Sequence, residues 1–328
     1  MRQSKRCTAL TSYDWCHKTT LVIWHHMFKK TVLALLLSAA ASAFAMPFSS
    51  QHAMVIEEDT GKILFEKNAH DVVPIASVTK LMTAMVVLDA KLDMNEMITI
   101  EESDVDTFKF SSSRVPVGAV LSRNAVLELA LMSSDNRAAA ALARTYPGGR
   151  AAFVQAVREK LDALDMRHSA IEEPTGLSPR NRSTAADLVK MASAAAQYPE
   201  ISRLTTGASD LIDMNGRMVQ YRNTNRLVGR DGWDILLSKT GFTREAGKCL
   251  VMRFQAAGKN VIVAFLNAKD SMGRMVDAEN VQRFLNGQPM YAAKAPVQVA
   301  RKGRTSKGGI MLAKSKGGTK VHKKRRTV

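Results

Sequence analysis

The chain predicts an α+β layered domain, with strands from both ends of the body joined in one sheet and a helical subdomain inserted between them. Three observations carry this. Near the start, the extended runs Ala53–Glu57 and Ile63–Lys67 flank an Asp59-Thr60-Gly61 turn and read as a hairpin. Near the end, the apolar runs Cys249–Gln255 and Asn260–Asn267 flank a short Ala/Gly/Lys turn, and Ile235–Lys239 predicts a strand just before them. The stretch between is rich in Ala and Leu and helical in character. A cleft between sheet and helices is then the natural place for a site.

The helices follow in order. Leu81–Leu92 is apolar without Gly or Pro and starts just after Ser77. Asn124–Met132 and Asn136–Arg144 predict two more, followed by Ala151–Leu164 and by Ala185–Gln197, the last capped by Ser183-Thr184. Gly273–Leu285 predicts a final helix. Pro147-Gly148-Gly149 and Pro174-Thr175-Gly176 interrupt the run. The sequence has no internal repeat.

The net charge of +17 in 328 residues misleads, because it lies entirely in residues 1–45 and 291–328. The body between is formally neutral, so a nucleic-acid reading, which needs basic residues on a folded surface, has little support. Met27-Phe28-Lys29-Lys30, the apolar run Thr31–Ala41 and Ala43-Phe44-Ala45 have the three-part pattern of a secretory signal peptide. Cleavage is expected after Ala45, which implies a periplasmic location. The apolar run is too short to span a bilayer. Residues 1–26 are polar and fall outside that pattern, so they are expected to be a mis-assigned upstream extension, with translation starting at Met27. The expected organisation is therefore 1–26 extension, 27–45 signal peptide, 46–290 catalytic domain and 291–328 basic tail. The tail is rich in Lys, Gly, Ser and Thr, is expected to be disordered, and has the charge to associate with an anionic wall or membrane surface.

Cys7 and Cys16 lie in the removed part, leaving Cys249, which reads as a small core residue rather than a reactive thiol. The sequence marks no metal or cofactor motif, and none is expected.

Three short motifs carry the chemistry: Ser77-Val78-Thr79-Lys80, Ser134-Asp135-Asn136 and Lys239-Thr240-Gly241. Each is weak alone. In this order they are the parts of a serine acyl-transfer site in which lysines move the protons. At a helix start, residues three apart share a face, so Lys80 can meet Ser77. A serine hydroxyl needs a neighbour to take its proton. Lys80 can do so if burial or a nearby cation, such as Lys239, favours its neutral amine. The second motif falls at a break between helices. There Ser134 can pass a proton, Asn136 can orient Lys80 and the substrate backbone, and Asp135 is expected to point outward. The third motif ends the predicted strand. Lys239 supplies positive charge, Thr240 offers a hydroxyl to a carboxylate, and Gly241 lets an extended peptide lie against the strand edge.

With these motifs the chain resembles the low-molecular-mass penicillin-binding proteins, the serine D-Ala-D-Ala peptidases. Pro74–Thr83, Leu131–Ala139, Glu173–Ser178, Ser238–Phe242 and Gly273-Arg274 all look like family segments, and the similarity spans about residues 50–288. The resemblance implies the serine β-lactamase/D,D-peptidase (transpeptidase-like) fold, a mostly antiparallel five-stranded sheet flanked by helices. It implies that Ser77 attacks a D-alanine carbonyl, that Lys80 is the base, and that Ser134 and Lys239 carry protons to the leaving amine. The assignment of each lysine to each step is open at this level. The backbone N–H groups of Ser77 and Phe242 would form the oxyanion hole, and Thr240 and Arg274 would hold a carboxylate beside the scissile bond. β-Lactams would be covalent inhibitors.

Family carboxypeptidases often add a C-terminal β-domain and an amphipathic anchor. The residues after the last predicted helix show neither pattern. This favours the branch like penicillin-binding protein 7, a D,D-endopeptidase that cuts D-Ala–diaminopimelate cross-links of peptidoglycan. A D-Ala-D-Ala carboxypeptidase is the alternative. A class A-like β-lactamase is a further one, since Glu173–Ser178 faintly resembles its water-activating loop. The spacing there is one residue longer, and Ser178 stands where Asn is expected. A non-catalytic wall-binding module would be expected to lack Ser77 or Lys80.

Overall fold

A computed structural model describes residues 48–291. The expected upstream extension, the signal peptide and the basic tail from residue 292 on lie outside the described residues. Within them, no helix is long and apolar enough to cross a membrane.

The hairpin β1 (His52–Glu57) and β2 (Lys62–Lys67) joins, through β1, the last of the described strands. Strands β9 (Asp234–Thr243), β10 (Gly247–Ala256) and β11 (Lys259–Ala268) run as a meander, giving an antiparallel sheet of order β2-β1-β11-β10-β9. Both faces of this sheet are covered, which explains why β10 and β11 read as continuous apolar runs. Successive side chains alternate faces. Leu250, Met252, Phe254, Val261, Val263 and Phe265 pack on one side with Ala278 and Val281 of helix α7 (Ser271–Leu285). Cys249, Val251, Ile262, Ala264 and Leu266 face the helical lobe on the other. Burying each large side chain of this kind stabilises the fold by about 1.5–3 kcal/mol.

The central helix is α1 (Lys80–Asp89), buried on nearly every side from Leu81 to Val87. Around it lie α2 (Arg123–Leu131), α3 (Asn136–Arg144), α4 (Gly149–Ala163) and α5 (Ala185–Ala195). Thr184 caps α5 by accepting the Asp187 N–H at 3.0 Å, as its sequence predicts. Helix α1 stops at Asp89, short of the expected Leu92, because Lys91 takes a left-handed conformation (φ 49°).

The sequence reading misses several elements: the short strands β3 (Val73–Pro74) and β6 (Arg182–Ser183), which pair with each other, β4 (Met97–Thr99) and β5 (Val120–Ser122), which do likewise, and those that follow. Helix α6 (Pro199–Thr206) starts with a proline, and β7 (Ser209–Met214) and β8 (Arg217–Arg222) form a separate hairpin. Its turn is Asn215-Gly216, with φ of 54° and 87°. An Asn-Gly pair of this conformation is a strong hairpin signal, and it was there to be read. The predicted strand Ile235–Lys239 is also too short. β9 runs on through Thr243, so the third motif lies within the strand rather than at its end.

Candidate active site

Ser77 sits in a single 3₁₀ turn, Ala76–Thr79, that leads directly into α1. Its backbone is gripped from two sides. A Cβ at Gly176 would come within 2.0 Å of the Ala76 carbonyl oxygen and 2.8 Å of the Ser77 nitrogen. A Cβ at Gly241 would lie 2.9 Å from the Ile75 oxygen and 3.1 Å from the Ser77 nitrogen. Only glycine permits this approach from both the 173–180 loop and β9. Ala76 itself is left-handed, with φ 48°.

Lys80 opens α1 and is almost fully buried. Its Nζ donates to Ser77 Oγ at 3.0 Å, to Asn136 Oδ1 at 2.7 Å and to the Thr175 carbonyl at 2.7 Å. Burial brings its amine down from 10.5 to about 8, against the opposing pull of the Glu173 and Asp135 carboxylates. Lys239, equally buried on β9, donates to Ser134 Oγ at 2.9 Å and to the Thr240 carbonyl at 3.1 Å. Burial pushes its amine well below the usual lysine range, and the charges of Lys80 and Arg274 push it further. The sequence reading offered Lys239 as the cation that depresses Lys80. Burial is the leading cause for both lysines.

The second motif connects α2 to α3. Ser134 is left-handed (φ 60°), which turns the chain sharply between the helices. Asp135 does not point outward as expected. It is buried, caps α3 by accepting the Ala138 N–H at 3.0 Å, and accepts the Ser113 hydroxyl at 2.7 Å. An unpaired helix N-terminus draws a carboxylate inward. Asn136 uses both ends of its amide, Oδ1 toward Lys80 and Nδ2 toward Ser111 Oγ at 2.9 Å.

On β9, the Thr240 hydroxyl donates to Thr224 Oγ1 at 2.7 Å. Phe242 is half exposed, with the Lys248 ammonium 3.3 Å from its ring centroid. Arg274, near the start of α7, donates through Nη1 to the carbonyls of Gly241 at 3.2 Å and Cys249 at 2.6 Å. It thus braces the strand edge that carries the third motif. Cys249 is buried beneath it, and burial lifts its thiol to about 11.

Of the residues singled out, Ser77, Lys80 and Asn136 form one hydrogen-bonded group and Ser134 and Lys239 a second, with Thr240, Gly241, Phe242 and Arg274 on the sheet side. Sequence reasoning missed Ser111, Thr224 and the Thr175 carbonyl. A hydroxyl or a carbonyl far along the chain gives no signal of such a role. A cavity of about 590 Å³ adjoins the cluster at Asn136 and Thr175, between residues 103–108 and the 173–180 loop.

The sequence profile described as D-alanyl-D-alanine carboxypeptidase, peptidase family S11, matches residues 39–270. The chain belongs to this family. A D-alanyl-D-alanine endopeptidase of Pseudomonas aeruginosa is 40% identical over 299 residues, covering 87% of this chain and 96% of that protein. A D-alanyl-D-alanine endopeptidase of Escherichia coli is 41% identical over 281 residues, covering 82% of this chain and 91% of that one. Among solved structures, a Streptomyces DD-transpeptidase superposes with a TM-score of 0.68 at 24% identity, covering 73% of this chain and 98% of the other. The fold is therefore that of the D,D-peptidases, as the motifs implied, and the chain is a serine peptidase of family S11.

Proposed function

We propose that this S11 peptidase is a periplasmic D,D-endopeptidase that hydrolyses D-Ala–diaminopimelate cross-links of peptidoglycan through a Ser77 acyl-enzyme. The observation that carries the chemistry is the pair of buried lysines, one on Ser77 and one on Ser134. A neutral Lys80 takes the Ser77 proton as Oγ bonds the D-alanine carbonyl carbon. The backbone N–H groups of Ser77 and Phe242 stabilise the oxyanion. As the C–N bond breaks, Ser134 hands a proton to the leaving amine and is resupplied by Lys239, which donates to it, with the proton taken by Lys80 returning to the pool the two amines share. Water then attacks the ester and Lys80 takes its proton; as the acyl–Oγ bond breaks Lys80 returns that proton to Ser77 Oγ, and the peptide acid leaves. Asn136 orients Lys80 and the substrate backbone. The Thr240 hydroxyl binds the carboxylate beside the scissile bond, with the charges of Lys239 and Arg274 behind it. β-Lactams present a strained amide to the same Ser77 and acylate it.

The two endopeptidases that match most of this chain support this substrate over others. A carboxypeptidase is the second reading, supported by the family's own description and by a 28% identical D-alanyl-D-alanine carboxypeptidase of Bacillus subtilis. The β-lactamase reading is supported less, because the carboxylate it would use is engaged by its own loop. Both Glu173 oxygens accept donors from their own loop: the N–H groups of Thr175 and Gly176 at 2.7 Å, the Thr175 hydroxyl at 2.6 Å and Asn181 Nδ2 at 2.9 Å. That carboxylate ties a loop.

The signal-peptide pattern supports export, and the basic tail would hold the enzyme on an anionic wall or membrane surface. Deleting residues 292–328 should then weaken sacculus binding at low salt. The central test is incubation with cross-linked muropeptide dimers and with pentapeptide monomers, alongside Ser77→Ala. Dimers are cut to monomers by the wild type alone. Release of D-alanine from pentapeptide with dimers left intact would make it a carboxypeptidase.

A further inference from the structure

The cleft has two walls, and an ion pair joins them where β9 ends. One wall is β9 itself, with Gly241 against the Ser77 backbone and Lys239 on Ser134. The other includes residues 106–113. There the Asp106 carboxylate gathers the N–H groups of Phe108, Lys109 and Ser111 at 2.9, 3.0 and 2.8 Å, which makes this segment a tied turn. Its base is fixed to the second motif, since Ser111 accepts from Asn136 and Ser113 donates to Asp135. Its tip reaches the opposite wall, where Lys109 Nζ contacts Glu245 Oε2, two residues past the end of β9. Among the described residues this is the one ion pair between the two walls. Phe108 and Phe110, on either side of Lys109, are 66% and 80% exposed, so no apolar packing holds the tip down.

We propose that Lys109 and Glu245 form a clasp that determines which peptides reach Ser77. Compact acyl donors enter with the pair closed; a branched, cross-linked peptide enters with it broken. This rests on the endopeptidase reading above. A cross-linked substrate continues as a peptide on both sides of the bond that is cut, and a cleft bridged at one end has no exit for one of them. The pair is solvent-exposed, with side chains 22% and 43% accessible, so it opens readily. The turn behind it stays in place, because Asp106 and the Ser111–Asn136 bond hold it independently. Selection is thus by the breadth of the substrate, and salt weakens it.

The test uses the full mature chain, with kcat and KM measured on cross-linked muropeptide dimers and the acylation rate measured with benzylpenicillin. Lys109→Ala and Glu245→Ala should each lower the dimer KM by about two- to fivefold, the range open to an exposed pair. Dimer kcat and penicillin acylation should not change, and the double variant should match the singles. The exchanged pair, Lys109→Glu with Glu245→Lys, should restore the wild-type KM. An unchanged KM, additive effects of the two substitutions, or an equal change in penicillin acylation each overturns the clasp. If the wild type acylates but cuts no dimer, the endopeptidase reading falls and the clasp with it.

Discussion

On the sheet side of the cleft, Lys239, Thr240 and Gly241 lie within a ten-residue strand whose backbone is paired to β10 from Asp234 to Thr243. On the helical side, Ser134 and Asn136 sit at a break between two helices, held by a left-handed residue, a capping carboxylate and hydroxyls from a distant turn. The first wall is positioned by a repeating backbone ladder, the second by single side-chain bonds. A side-chain change on the sheet side should therefore remove a function and leave the frame intact. On the helical side, the frame and the function should fail together.

The largest effect expected from this contrast is at Lys239. Lys239→Met should lower acylation by a β-lactam about 10²–10⁴-fold, the usual range for a lost proton carrier. Because the native amine is buried among other cations, Tm should hold or rise. A large drop in Tm would break the comparison. Next are the two glycines that grip Ser77. Gly176, on the helical side, has φ +84° and no room for a Cβ, so Gly176→Ala should cost about 3 kcal/mol in urea unfolding as well as activity. Gly241→Ala, with milder contacts on the ladder, should cost about 1 kcal/mol yet lower acylation about 10²-fold by shifting the strand from Ser77.

A smaller effect, about tenfold per pH unit on the acid side, is expected in the pH profile. Lys80 must be neutral to take the proton, and its amine lies at about 8, so acylation should rise with pH and level off above that value. A profile flat from pH 6 to 9 would remove Lys80 as the base. Smallest is Asp135→Ala, which loses a helix cap and the partner of Ser113. It should cost about 1–2 kcal/mol by thermal unfolding, with activity falling in step.

The same contrast governs what the sequence could reveal. Short apolar runs and a tripeptide on β9 are local patterns, so the sheet wall was legible down to Lys239, Thr240 and Gly241. Ser77 and Lys80 were legible because one turn brings them together. The inward turn of Asp135 was missed although its cap on Ala138 is local; its second partner, Ser113, sits on a turn more than twenty residues away and gives no signal. Thr224 and Ser111 were invisible for the same reason: each meets its partner only after the chain has folded. The grip of Gly176 on Ala76 likewise joins two loops about a hundred residues apart.

The order of strands in the sheet has a consequence for the making of the molecule. β1 pairs with β2 on one edge and with β11 on the other, joining residue 57 to residue 261. A ribosome delivers the nucleophile and its helix early, but β9, with the second lysine, is delivered late along with the strands that anchor it. Contacts of such long sequence separation form slowly. An unfinished chain is therefore catalytically silent, and activity is conferred in one late step, when the last three strands close the sheet on the first two.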